Sequence, residues 1–299
     1  MSSTSKSIAR PKLACEISAD RVLGGRVSDD GRSLETYSAR ELNVGSVVPD
    51  LIETNLRQRN DVSRSIREVL ESVGARGKDV VAVLPDAAVR VALLDFDSLP
   101  ANREEADGVV RFRLKKSLPF DVEKAKVSYH AQTSGQGVRV VAAVALANVV
   151  DDYETAFQEA GYSPGVVLPS MLAALGAANA TRPTLVVKVD ARTTSLAILD
   201  SDQMLLFRTL ENTRGVTITG EQLAEEVYPS IVFFQDTYHL NIEQIFVAGL
   251  PETTVAAQAL RSQTGAEVEE LVSPSRLGTS NGDSAPRYRM AGVVGALVS

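Results

Sequence analysis

The strongest constraint in this 299-residue chain is one order of elements that occurs twice. Three strand-like segments, Leu13–Ser18, Arg21–Ser28 and Leu34–Leu42, are separated by short polar turns such as Asp29-Asp30-Gly31, a hairpin signal. A helical pattern follows, with Val62, Ile66, Val69, Leu70 and Val73 on one face and Gly74 at its C′ position. The apolar run Val80–Leu84 is the next strand. The second half repeats this plan: Leu185–Val189, Leu196–Leu199 and Met204–Arg208 read as strands, the last two joined across Ser201-Asp202. Thr219 opens a helix and Gln222, three residues on, completes a capping box. Leu223, Val227, Ile231 and Phe234 form its apolar stripe, with a kink expected at Pro229. Ile245–Val247, a helix from Thr254 to Thr264 and an edge strand Glu267–Val272 complete the copy. The two copies share little residue identity, so the repeat is one of architecture.

A different block lies between them. Val89–Phe96 reads as a strand, and Asn102 with Glu105 caps a helix running to Leu114. Ser117–Phe120 breaks it, and strands Ala125–Gln132 and Val138–Leu146 face each other across the Gly135–Gly137 turn. A helix around Asp152–Ala160 ends at Gly161; a strand Gly165–Leu168 and a helix Ser170–Asn179 lead into the second copy. The expected organisation is a first α/β domain over 11–182, with a small α+β subdomain inserted at about 86–148, and a second domain over 183–272. A flexible polar loop is expected at 273–288, and a C-terminal helix at 289–299 that returns to the first domain.

Composition narrows the classes. A net charge of −7 argues against a nucleic-acid partner, because phosphate affinity comes mostly from Lys and Arg. The single cysteine, Cys15, excludes an intrachain disulfide and reads as a buried strand residue. Met1–Arg10 is polar and lacks a signal-peptide core, and Met290–Val298 is far shorter than the ~20 residues of a membrane span, so a cytoplasmic location is expected. No GxxxxGK, HExxH, CxxC or GxSxG motif occurs, and His130 and His239 lack metal-ligand spacing. Arg111, Arg113, Lys115 and Lys116 form a basic run that reads as a solvated helix face, or as a contact for an acidic partner or an anionic leaflet.

A duplicated unit of this kind is similar to the actin, Hsp70 and sugar-kinase superfamily, with its ribonuclease H-like β-β-β-α-β-α domains. One branch fits more closely. Lys78-Asp-Val-Val-Ala-Val-Leu-Pro85 resembles the K-D-V-x-x-x-L-P strand of PilM-type pilus-assembly proteins. Leu99-Pro100 and Leu118-Pro-Phe-Asp-Val-Glu123 resemble that family's next two segments, and Val138–Ala147 with Val149–Gly161 follow in the same order. The cytoplasmic domain of type II secretion L-proteins is a related resemblance.

The resemblance implies ATP with Mg²⁺ gripped between two hairpins. The first should carry Gly and hydroxyl residues, but here reads Ala14-Cys-Glu-Ile-Ser-Ala-Asp-Arg-Val22, with Glu16 for Asp, Ser18 for Gly, and Asp20 for a hydroxyl residue. The second, Val189-Asp-Ala-Arg-Thr-Thr-Ser-Leu196, keeps Asp190 and the hydroxyls of Thr193, Thr194 and Ser195. Arg192 there could contact a phosphate or sit exposed. Of the expected glycine loop against adenosine only Gly249 remains. Gly215 and Gly220 bracket a turn that would serve ligand contact or turn geometry. The implied nucleotide site is thus Ser18, Asp190, Thr193, Thr194, Ser195, Gly215 and Gly249, with Asp190 as the Mg²⁺ ligand. Asp190 and Glu16 are the catalytic candidates for an ATPase or small-molecule kinase, and Glu211 is a distant third.

Because these loops depart from the pattern, the favoured expectation is a scaffold with degraded nucleotide loops. By resemblance it would sit at the cytoplasmic face of the inner membrane and bind the N-terminal cytoplasmic peptide of a PilN-like single-span membrane protein. The groove would lie in the first domain beside the inserted subdomain, with Val89–Phe96 and the Asn102–Leu114 helix the first places to look. Pilus motor ATPases are further implied partners. An active enzyme of the same superfamily is the alternative.

Overall fold

The computed structural model describes residues 10–134, 137–201, 203–280 and 285–298. The readings made for 1–9, for parts of the turns at 135–137 and 201–202, for 281–284 and for residue 299 of the C-terminal helix lie outside the described residues.

The first domain is a six-stranded sheet built from β1 (Leu13–Ile17), β2 (Arg21–Val27), β3 (Leu34–Glu41), β4 (Asp79–Leu84), β8 (Ser163–Pro169) and β14 (Leu277–Ser280). Their order is β14-β3-β2-β1-β4-β8. β4 is flanked on both sides, by β1 and β8, and buried along its last five residues, which is why it reads as an unbroken apolar run. The second domain repeats the pattern with β9 (Thr184–Val189), β10 (Thr193–Asp200), β11 (Gln203–Glu211), β12 (Gln244–Ala248) and β13 (Glu267–Glu270), in the order β11-β10-β9-β12-β13. The antiparallel hairpin, its parallel neighbour and the crossover are the same in both copies.

Helices fill three layers around the two sheets. α1 (Arg59–Ser72) and α3 (Ala147–Glu159) cover the outer face of the first sheet; α5 (Gly220–Tyr238) and α6 (Thr253–Thr264) cover that of the second. α5 carries the expected capping box at Thr219 and Gln222 and continues through Pro229. Between the sheets lie α4 (Ser170–Leu175) and α7 (Ala291–Leu297), in a single apolar core shared by Ala14, Val83, Val186 and Phe246. The backbones of α4 and α7 touch at Gly176 and Gly295, where any added Cβ would overlap a carbonyl. Part of the stretch expected as a flexible loop is different in fact: Leu277–Ser280 is β14, paired in parallel with β3 from Leu277↔Leu34 onward. A four-residue edge strand needs one partner only and carries no alternation that composition could reveal.

The inserted subdomain comprises β5 (Arg90–Phe96), α2 (Arg103–Leu114), β6 (Ala125–Ser134) and β7 (Gly137–Leu146). Its strands run in the order β5-β7-β6, and α2 packs Ala106, Val110 and Leu114 on them. Asn102 caps α2, accepting from the Glu104 and Glu105 amides. The subdomain is tied to the second domain as well. Arg139 on β7 holds Asp95 through two bonds (2.7 and 3.2 Å) and donates to the Tyr238 hydroxyl at 2.9 Å. Gln203 donates to the Thr133 carbonyl at 3.0 Å.

Candidate functional site

The hairpins β1–β2 and β9–β10 face each other across the two domains, as a phosphate clamp would require, but the space between them is filled by protein. Lys188, on β9, projects from the second domain and is only 5% exposed. Its Nζ lies 3.4 Å from Glu16 Oε1 on β1 and 3.7 Å from Asp190 Oδ2. Glu16 is 2% exposed and also accepts from the Ser170 hydroxyl. A second tie joins the domains nearby. Asp86, in the 3-10 turn Asp86–Ala88 after β4, accepts from Ser195 Oγ at 2.9 Å and from the Met171 amide at 2.8 Å.

One ammonium thus faces three buried carboxylates. Burial works against the charge on Lys188, but Glu16, Asp190 and Asp86 outweigh it and lift its pKa above the ordinary lysine range. A single cation cannot neutralise all three acids. Burial therefore raises Glu16 and Asp86 above the usual carboxylate range, with Lys188 pulling each partly back.

The residues expected to hold nucleotide are placed as follows. Ser18 is buried and spends its hydroxyl within its own turn, on Asp20 Oδ1 (2.8 Å) and the Arg21 carbonyl (3.2 Å). Asp20 is taken by Arg21 at 3.0 Å and Arg289 at 3.5 Å. Asp190 accepts from the Ala191 amide at 2.7 Å and faces Lys188. Thr193, Thr194 and Ser195 all belong to β10, so their side chains alternate rather than converge. Thr194 reaches Glu226 on α5 (3.5 Å) while Ser195 reaches Asp86.

The other candidates serve packing or solvent. Arg192 and Glu211 are exposed. Gly215 packs on Ala191, and Gly220 seats α5 against Ala256. Gly249, at φ +90°, lies so close to β9 that a Cβ would overlap the Val189 carbonyl, and its amide donates to the Tyr288 carbonyl at 2.8 Å. So Glu16, Asp190, Ser195 and Gly249 meet at the cleft; Thr194, Gly215 and Glu211 do not. Lys188, Asp86 and Ser170 were missed. The charge of Lys188 inside the apolar run Leu185–Val189 was the available signal.

These residues do not fit a Mg-nucleotide. The cavity between Ser18, Lys188, Gly249 and Arg289 measures about 10 Å³, against roughly 300–1,000 Å³ for pockets that hold small ligands. A Mg²⁺ ion on Asp190 would meet the Lys188 ammonium. A cavity of about 280 Å³ does lie beyond Gly249, between Thr217–Gly220 and Leu250–Glu252, but the hairpin cleft that would hold the phosphates is the filled one. Among the described residues no group of three or more His, Cys, Asp or Glu side chains is placed to hold a metal ion.

The second feature is a groove of about 200 Å³ between the first domain and the inserted subdomain. Val127 on β6, Ala143 and Ala145 on β7, Val150 on α3, and Val167 and Leu168 on β8 give it apolar walls. Lys126 stands at its rim, paired with Asp151 (2.7 Å) and Glu154 (3.1 Å). β8 and β6 are each the edge of their sheet. Of the elements singled out from the sequence, β5 contributes only the preceding residue Val89, and α2 takes no part. α2 lies on the far side of the subdomain sheet instead, its outer face carrying the exposed Val109 and Phe112.

No family model matches this chain, and no curated protein does. Solved structures do. A chain of the PilM–PilN type IV pilus biogenesis complex superposes with a TM-score of 0.78 at 20% identity, covering 96% of this chain and 98% of that one. The cytoplasmic domain of EpsL, an inner-membrane component of the Vibrio cholerae type II secretion system, gives 0.53 at 10% identity, covering 96% and 94%. The ethanolamine utilization protein EutJ from Carboxydothermus hydrogenoformans also gives 0.53 at 10%, covering 96% and 89%. The duplicated sheets, the layers between them and these likenesses together show that the chain has the actin-like fold, in a form similar over nearly its whole length to that in the PilM–PilN complex.

Proposed function

We propose that this chain is an assembly scaffold of a type IV pilus or related secretion machine, working at the cytoplasmic face of the inner membrane without nucleotide turnover. The groove between β6, β7 and β8 carries this reading. It is apolar, open, and bounded by two sheet edges, which suits an extended peptide hydrogen-bonded along a strand with alternate side chains buried. The likeness to the PilM–PilN complex supports a PilN-like membrane protein as the source of that peptide. The closed interdomain cleft supports the other half: Lys188 supplies, permanently, the positive charge that would otherwise engage a phosphate, and the domains need no ligand to stay together.

Calorimetry with the cytoplasmic N-terminal peptide of a PilN-like single-span membrane protein from the same genome tests the reading. Micromolar binding is expected, lost in Val127→Asp and Ala143→Arg with melting temperature unchanged. Absence of binding by the native chain overturns the scaffold assignment. Saturable Mg-ATP binding that disappears in Asp190→Ala overturns the nucleotide-independent part alone.

A further inference from the structure

A slot of about 450 Å³ opens between the inserted subdomain and the second domain. Its walls are runs of consecutive residues, Val89–Val91 on one side and Phe207–Leu210 on the other, with Asp86, Ala87 and Leu51 between them. Consecutive strand residues at a wall present their peptide groups as well as alternate side chains. Among the described residues β5 is bonded only to β7, and β11 only to β10. The two strands approach each other without pairing, so each turns an open edge toward the other.

Folded proteins blunt such edges with charge, proline or bulges. Here the slot is apolar at Val89, Val91, Phe207 and Leu210, and the bulge in β11 lies elsewhere, opposite Ile198 and Leu199. Charge decides the occupant. Arg90 is exposed and pairs with no carboxylate among the described residues. Arg208 stacks its guanidinium on Phe233 and donates to the Ser230 hydroxyl, again with no carboxylate. Asp86 does not offset them, because its carboxylate is buried at the floor of the slot and faces the Lys188 ammonium. Two arginines line the slot without a carboxylate partner among the described residues, and Arg90 is exposed there, which makes it a place for anionic side chains.

We propose that this slot takes an extended segment of a partner protein, apolar at alternate positions with carboxylates between them, added as a strand against β5 or β11. Such a segment would join the inserted subdomain to the second domain. It is separate from the peptide groove, although the two openings lie on either side of Val89.

The test uses the full chain and two acetylated heptapeptides, one alternating valine with glutamate and the other valine with lysine. Hydrogen–deuterium exchange should show the glutamate peptide protecting amides 89–91 or 207–210. Arg90→Glu should weaken that peptide about tenfold or more and favour the lysine peptide. Val127→Asp, which blocks the groove, should change neither result. Protection at 126–128 or 166–168 instead, equal binding of both peptides by the native chain, or no protection at millimolar peptide overturns the proposal and leaves the groove assignment standing.

Discussion

Replacing Lys188 by methionine removes the buried ammonium that faces Glu16, Asp86 and Asp190 while keeping most of the side-chain volume. Both members of the Lys188–Glu16 pair are almost wholly buried, at 5% and 2% exposure. Removing one partner of a buried pair leaves an uncompensated charge and costs about 3–5 kcal/mol, whereas exposed pairs are worth about 0–1 kcal/mol. Lys188→Met should therefore lose about 3–5 kcal/mol in urea unfolding at pH 7.5. Adding Glu16→Gln removes the orphaned charge, keeps an acceptor for Ser170, and should recover about 1–3 kcal/mol as coupling between the two sites. A single-variant loss below about 1 kcal/mol, or strictly additive losses, would mean that water reaches the cleft and that the pair does not tie the domains.

Further outcomes follow from the same geometry. Glu16 and Asp86 have raised pKa values in the folded chain, so the stability they confer is fully present below their unfolded values and is lost as pH rises through the folded ones. Melting temperature should accordingly fall from pH 5 toward pH 8 in native protein, and Glu16→Gln should flatten that slope. Asp20, whose pKa is lowered despite burial by Arg21 and Arg289, acts in the opposite sense, but only in acid below its unfolded value. Gly249→Ala forces a Cβ into φ +90° and against the Val189 carbonyl; a loss of at least about 1–3 kcal/mol is expected, read as a lower melting temperature. Arg139→Ala frees Tyr238 and the exposed Asp95 at a cost of about 1–2 kcal/mol, and amide exchange should quicken at 132–134 and 203–205 before the domain cores change.

How much of this was legible in the sequence depended on how local each signal was. The duplicated strand order, the Thr219–Gln222 cap and the Asn102 cap rest on contacts a few residues apart, and local pattern exposes those directly. Edge strand β14 was hidden because it pairs with residues more than 240 positions earlier and sits among Ser, Pro and Gly. The cleft was half legible. Glu16 and Asp190 stood out as departures from a motif, but Lys188 passed as part of an apolar strand, and Asp86 meets Ser195 only after residues 109 positions apart are folded together. Thr193, Thr194 and Ser195 looked like three adjacent donors; strand alternation sends neighbouring hydroxyls to opposite faces. The groove and the slot lie where separate sheets come together, so no stretch of sequence encodes either.

The seating of α7 between the sheets has a consequence for biosynthesis. Residues 291–297 belong to the core of the first domain, locked to α4 by the bare-backbone crossing at Gly176 and Gly295. During translation, at ~5–20 residues per second, the first domain would emerge with that layer missing and wait on the order of ten seconds for it. Its half-finished inner face, lined by Ala14, Leu23 and Val83, would meanwhile be exposed to chaperones or to wrong neighbours. A ribosome stalling after residue 182 but before residues 291–297 have emerged should be more damaging here than one stalling near the domain boundary of an ordinary tandem protein.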